Sequence, residues 1–197
     1  IVVGDCAGFI VNRILLPYLN EAAFILSEGS KIEHIDHLIK GFGMPMGPFT
    51  LADTVGIDVG YKVASILREE YGYRMPIAPL IEKMYDANYL GKKSENGGFY
   101  KYDGKDDFVN EHVISMLSNN SKIIPDDEIM QRCLYIMINE ASRCLEENIV
   151  TDASIIDFAM ITGTGFPAFR RGLLTYANEI GLRNILESLR QFEKDYG

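Results

Sequence analysis

The chain repeats itself, and the repeat restricts the folds open to it more than any other feature. Arg13 and the run Asn20-Glu21-Ala22 recur as Arg132 and Asn139-Glu140-Ala141, at a common offset of 119 residues. Ile35-Asp36 then matches Ile156-Asp157, and Gly41-x-Gly43-x-Pro45 matches Gly163-x-Gly165-x-Pro167. Gly47, Ala52 and Gly56 match Gly172, Ala177 and Gly181. The offset grows to 125 along the way, as small loop insertions would make it. One matching tripeptide would be chance, but four matches in unbroken order mark a tandem duplication. Two such copies are expected to pack about a pseudo-twofold, each covering the other's apolar face. The repeat places a first copy at 8–103, a connector at 104–125 and a second, shorter copy at 126–197.

The period within each copy is helical. Ile10, Ile14, Leu15, Leu19, Ala22, Ala23 and Leu26 recur at the spacing of one helix face over about Phe9–Ser27, with Glu28-Gly29 as the stop. A second helix fits Ile32–Lys40 behind Ser30 as its cap. Gly41–Pro48 reads as a loop, since its glycines and prolines break both periodicities. Further helices fit Phe49–Val55, Val59–Tyr71, Ala78–Ala87, Asp126–Asn148, Ala153–Ile161, Phe169–Asn178 and Gly181–Asp195. Leu90–Tyr102 reads as a loop closing on a short aromatic extended piece. The polar connector has room for one short helix near Val109–Leu117. The predicted fold class is all-α. Ile1-Val2-Val3 reads as the end of a strand whose partners are absent, so residues 1–7 are expected to be the remnant of a missing domain.

Several chemistries are weak here. A net charge of −9 with no Lys/Arg block argues against nucleic acid and anionic membrane surfaces. No apolar run reaches the length of a membrane span, to the eye. Cys6, Cys133 and Cys144 fit no zinc or CxxC spacing and read as free thiols, which suits a reducing compartment and a cytoplasmic location. His34 and His37 lie i, i+3 without a third ligand, so a solvated helix face is expected there, and His112 is expected to be exposed; no metal site is predicted. Gly41-x-Gly43-x-x-x-Gly47 has the wrong spacing for a dinucleotide fingerprint and follows a helix instead of a strand. Arg13, Asn20 and Glu21 share a helix face and read as a polar network between helices. Asn12 stands at the start of that helix, where copy two has Gln131. Its amide could satisfy backbone groups, or hydrogen-bond a substrate carbonyl or a catalytic His entering from the missing domain.

Asp5-Cys-Ala-Gly-Phe-Ile-Val-Asn12-Arg13, followed by Leu16-Pro-Tyr-Leu-Asn-Glu-Ala22, resembles the junction motif of the 3-hydroxyacyl-CoA dehydrogenases, where the last Rossmann strand meets the first C-terminal helix. Gly43-Met-Pro-Met-Gly-Pro-Phe49 with Leu51-Ala-Asp53 and Gly56 resembles that family's second block. Gly91-Lys-Lys-Ser94 with Gly97-Gly-Phe-Tyr100 resembles its closing block, one residue longer than the common form. Copy two, with Gly165-Phe-Pro-Ala-Phe-Arg170, resembles the degenerate second copy of multifunctional β-oxidation chains.

The resemblance implies an NAD-dependent oxidation of an L-3-hydroxyacyl-CoA, with NAD and the catalytic His–Glu pair held by the missing Rossmann domain. It implies that Asn12 lies beside that His and the substrate, as the one active-site residue in this chain. It also implies an acyl-CoA substrate at the domain interface, a neighbouring enoyl-CoA hydratase domain, a thiolase subunit as partner, and dimerisation through the helical unit where only one copy is present. Two other readings stay open on the residues alone. One is a purely structural helical module, and the other is the helical domain of a different Rossmann-type hydroxy-acid dehydrogenase.

Overall fold

A computed structural model describes residues 1–104, 107–118 and 122–196 of the chain. The parts of the connector at 105–106 and 119–121 lie outside the described residues. Ten α-helices and one small two-stranded sheet make up the described fold, an all-α architecture. The helices are α1 (Phe9–Glu28), α2 (Ile32–Phe42), α3 (Pro48–Val55), α4 (Ile57–Tyr71), α5 (Pro79–Asp86), α6 (Glu111–Ile114), α7 (Asp126–Glu146), α8 (Ala153–Thr164), α9 (Leu173–Ile180) and α10 (Leu182–Tyr196). The strands β1 (Tyr100–Tyr102) and β2 (Asp107–Val109) pair antiparallel, with Tyr100 opposite Val109.

Helices α1 to α4 correspond one by one to α7 to α10. The centre of the molecule is the packing of α1 on α7, the most extensive helix contact in the chain. Ile14, Tyr18, Ala22 and Ile25 of α1 and Ile129, Cys133, Met137 and Ala141 of α7 are fully buried in one continuous core. Neither copy could bury these faces alone, and joining them removes both from water.

The repeated polar residues cross between copies. Arg13 Nε donates to Glu140 Oε1 at 2.7 Å, and Arg132 Nε donates to Glu21 Oε1 at 2.6 Å. Each arginine reaches a second carboxylate at matching positions: Arg13 Nη2 pairs with Glu147 at 2.8 Å, and Arg132 grips Glu28 through both terminal nitrogens at 2.8 and 2.7 Å. Each guanidinium also stacks on a tyrosine that ends the fourth helix of its own copy, Arg13 on Tyr71 at 4.4 Å and Arg132 on Tyr196 at 3.9 Å. Of the predicted network, Arg13 and Glu21 join the two copies, while Asn20 bonds within copy one, to Ala78.

A second device is duplicated within each copy. The Asp36 carboxylate accepts the N–H groups of Phe49 and Thr50 and the Thr50 hydroxyl, at 2.9, 3.1 and 2.7 Å. Asp157 accepts those of Leu174 and Thr175 and the Thr175 hydroxyl, at 2.6, 3.1 and 2.7 Å. Each carboxylate satisfies the orphan donors of a helix start from another helix, where a negative charge also suits the helix dipole. Gly47 and Gly172 precede those helix starts because a methyl group at either would overlap the capping aspartate. The Asp-then-Gly pattern of the repeat is this one contact, made twice.

Several local expectations need correction. Ser30 does not cap α2; Lys31 holds that place without a side-chain bond. Helix α2 runs on through Gly41 and Phe42 and ends at Gly43, whose left-handed φ of 119° closes it, so the loop is shorter than the glycine count suggested. The helix expected over Phe169–Asn178 is interrupted. A 3-10 turn at Ala168–Arg170 gives way to positive φ at Arg171 and Gly172 before α9 begins. The connector carries β2 and α6 where only a short helix was expected. Apart from these corrections, the N-terminal segment rests on copy two, where Gly4 N–H donates to Ile149 O at 2.7 Å, and Val3 packs on the core. Helix α1 is also long and apolar enough, by length and composition, to cross a membrane. Its scattered polar residues Asn12, Arg13, Asn20 and Glu21 break the apolar run without lowering its average enough. In this fold α1 is the core helix, with Arg13 buried and paired.

Candidate functional site

Asn12 lies in the first turn of α1, exposed, and its side-chain amide makes no hydrogen bond to the described residues. The backbone leading to it is tightly bent, with φ of 76° at Gly8 and 49° at Phe9. A methyl at Gly8 would meet Leu67 at 2.8 Å, so glycine there lets the chain enter α1 against α4. The phenyl ring of Phe9 stands 68 % exposed beside Asn12. Arg13, the next residue, is turned to the opposite side and buried, so the two neighbours have unrelated roles.

Asn12, Leu16, Leu19 and Asn20 follow one face of α1 at i, i+4, i+7 and i+8. Beyond Asn12, the Leu16, Leu19 and Asn20 part of that face forms one wall of an apolar cleft, open to solvent, between α1, α3 and α4. Leu16 and Leu19, Ala52 of α3, Gly60 and Ala64 of α4, and Phe99 line it. Asn20 belongs to the cleft but is occupied, its Oδ1 accepting the Ala78 N–H at 2.6 Å ahead of α5.

The closing segment Gly91–Tyr102 is pinned over α3 by Asp53, which is 1 % exposed. Its carboxylate accepts the N–H groups of Phe99 and Tyr100, both at 2.9 Å, and the Tyr102 hydroxyl at 2.8 Å. Burial pushes this carboxyl up to about 6, against the lowering effect of those three donors. The Tyr100 hydroxyl donates to Asp36 at 3.0 Å, which ties the segment to the α3 cap as well. Burial and the neighbouring Asp36 carboxylate hold the Tyr100 hydroxyl well above its ordinary value, so it stays a donor. Gly91 and Gly98 pass so close that a methyl on either would overlap Asp53. Gly98→Ala is accordingly expected to cost about 1–3 kcal/mol or more, since the obstacle is a fixed carboxylate within a bonded cluster. A urea midpoint within 0.2 M of wild type, read at about 1–3 kcal/mol per molar, would contradict this.

His34, His37 and His112 are exposed, and His34 Nε2 meets Asp126 at 2.8 Å. Among the described residues no three metal-ligating groups cluster. Cys133 and Cys144 are buried free thiols, and burial pushes the Cys144 thiol up to about 12. The pairing roles of Asp53, Tyr71, Tyr196, Glu28 and Glu147 went unnoticed in the sequence. For the last four a signal was present, since Glu28/Glu147 keep the offset of the arginines and Tyr71/Tyr196 that of the last glycine pair.

Residues 8–102 and 129–197 match the family described as 3-hydroxyacyl-CoA dehydrogenase, C-terminal domain. The chain belongs to this family. As such a dehydrogenase domain, it is 44% identical over its whole length to the fatty acid oxidation complex subunit alpha of Vibrio cholerae, and 45% identical to that of Idiomarina loihiensis. It spans 28% of the length of each of these curated relatives. Among solved structures, the dehydrogenase part of multifunctional enzyme 1 from C. elegans matches with a TM-score of 0.64 and 35% identity, over 85% of this chain and 39% of that one. The 3-hydroxybutyryl-CoA dehydrogenase of Escherichia coli K12 matches with a TM-score of 0.80 over 99% of this chain and 57% of that one. At 20% identity this second likeness speaks for the fold alone.

Proposed function

We propose that this chain is the substrate-side and packing portion of an NAD-dependent L-3-hydroxyacyl-CoA dehydrogenase of fatty acid β-oxidation, oxidising 3-hydroxyacyl-CoA to 3-oxoacyl-CoA. The observation that carries the reading is the free, exposed amide of Asn12 within the 8–102 stretch that matches the dehydrogenase family. The polar residues nearest it on α1 are committed, Arg13 to Glu140, Glu21 to Arg132 and Asn20 to Ala78, and the Tyr18 hydroxyl, which has no partner among the described residues, is sealed in the core. An amide held on a rigid helix start with nothing to bind is available to a substrate carbonyl or to a base brought by a neighbouring domain. Either contact would hold C3 of the substrate in reacting geometry.

The described residues do not fit NAD. A dinucleotide site needs a strand, a glycine turn and a helix N-terminus in succession, and Gly43 instead closes the C-terminus of α2. NAD, which takes the hydride from C3, is assigned to another part of the whole protein, together with the catalytic base. This chain by itself is expected to be inactive. Copy two, with Gln131 at the position of Asn12, is read as a packing copy without an active site. In this reading the chain divides at 8–103 and 126–197, and copy two covers on copy one the surface through which a single-copy dehydrogenase would dimerise. Similarity to fatty acid oxidation complex alpha subunits supports a multi-subunit assembly; the hydratase domain and the thiolase partner implied by the motif resemblance are part of the proposal. The buried free thiols fit a reducing, cytoplasmic setting.

The test is Asn12→Ala in the full-length protein. Loss of an orienting hydrogen bond at a reacting centre is expected to lower kcat/KM for a 3-hydroxyacyl-CoA by roughly 10²-fold, with unfolding midpoint unchanged because the amide bonds to nothing in the fold. Normal turnover by that variant would remove Asn12 from the active site.

A further inference from the structure

The two copies differ at one place in a way that packing does not explain. Helices α4 and α10 are both 15 residues long, each starts directly after a glycine of positive φ (Gly56 at 101°, Gly181 at 96°), and each ends on the tyrosine beneath its arginine. In this register, fixed at both ends, Gly60 corresponds to Ile185 and Ala64 to Leu189. Ile185 is 3 % exposed and Leu189 packs on the core, so copy two fills the space between its first, third and fourth helices. Copy one leaves that space open as the cleft beside Leu16 and Leu19.

Gly60 is the telling residue. It sits inside α4 with no positive φ, and a methyl group there would meet nothing within 4 Å. Neither backbone strain nor a close neighbour calls for glycine, which in a helix interior is less stable than alanine. An open apolar cleft maintained at a cost to its own helix, and filled in the duplicate, has the character of a ligand site.

We infer that this cleft is the acyl-chain subsite, receiving the aliphatic tail of the substrate, and that Gly60 and Ala64 set how long a tail it accepts. The inference rests on the dehydrogenase reading above. The occupant follows from placement. Leu16 lies four residues (~6 Å) and Leu19 seven (~11 Å) from Asn12 along the same face of α1. A substrate whose reacting carbons lie at Asn12 would lay its tail along that face, where the walls are apolar and the one amide, Asn20, is already bonded to Ala78. Copy two has both features altered together, Gln131 for Asn12 and a filled cleft, as expected if the two serve one ligand.

The experiment uses the full-length protein with Gly60→Ile, Ala64→Leu and the two combined, and compares kcat/KM for 3-hydroxybutyryl-CoA and 3-hydroxyhexadecanoyl-CoA. The expected result is a long-to-short ratio lowered at least ~10-fold in the double variant, mainly through KM, since displacing about two methylenes suffices. A ratio within about twofold of wild type overturns the subsite. A second readout needs no variant: a 3-hydroxyacyl-CoA with a photoreactive group at its tail end should label α1 or α4 peptides, and labelling confined to other parts of the protein overturns the subsite. Turnover of neither substrate by wild type would overturn the dehydrogenase reading itself, a different result from turnover with an unchanged ratio.

Discussion

Arg13→Ala is expected to destabilise the protein by about 3–5 kcal/mol, the range for breaking a buried ion pair from one side. Arg13 is fully buried and its partner Glu140 is 5 % exposed at the side chain, so the variant leaves a carboxylate in the core. Arg74 offers only partial relief, since it lies 3.4 Å from Glu140 and is itself partly exposed. The same change removes the guanidinium from the Tyr71 ring and from Glu147. Because the contact joins the copies, hydrogen exchange should rise in both α1 and α7, not in α1 alone. Arg13→Met combined with Glu140→Leu should recover most of the loss, because an apolar pair of similar volume needs no charge compensation. Arg132→Ala is expected to behave alike, with exchange rising at the same two helices. A shift of under 1 kcal/mol for Arg13→Ala would show that the crossed pairs do not hold the copies together.

The second large effect concerns the helix caps and predicts an order between the copies. Asp36→Ala orphans the Phe49 and Thr50 N–H groups and the hydroxyls of Thr50 and Tyr100. Asp157→Ala orphans only the Leu174 and Thr175 N–H groups and the Thr175 hydroxyl. With about 1–3 kcal/mol for each buried group left unpaired and partial repair by water, the first is expected to cost about 3–5 kcal/mol and the second about 2–4. The difference comes from Tyr100, through which Asp36 also fastens the closing segment over α3. Adding Tyr100→Phe to both variants should bring their costs together. If Asp157→Ala proved the more damaging, the cap in copy one would not carry the role given to it.

Much of this was legible before any coordinates. Helix α1 and helix α7 each satisfy their local preferences and their burial with one 3.6-residue pattern, so their residues pointed the right way on spacing alone. The junction around Asn12 and the blocks at Gly43–Gly56 and Gly91–Tyr100 were legible because they are contiguous runs. The interruption at Arg171-Gly172 was not, because an arginine in left-handed backbone carries no local signal; there the chain passes so close to Asp157 that a methyl at Gly172 would overlap it. Asp53 stood within the second block, but its role as anchor of the closing segment was not legible. Its partners lie 46 to 49 residues away on a loop that only the fold brings over α3.

By itself, then, the sequence determined the helices, their duplication and the family, since these depend on periodicity and on runs of neighbouring residues. The tertiary structure decided which partner each repeated polar residue takes, because a charge is satisfied by whatever lies opposite it, here 127 residues away for Arg13 and 111 for Arg132. It also decided what smallness means. Gly47 and Gly60 are the same letter, but one is small because an aspartate fills the space beside it, and the other borders space that stays open.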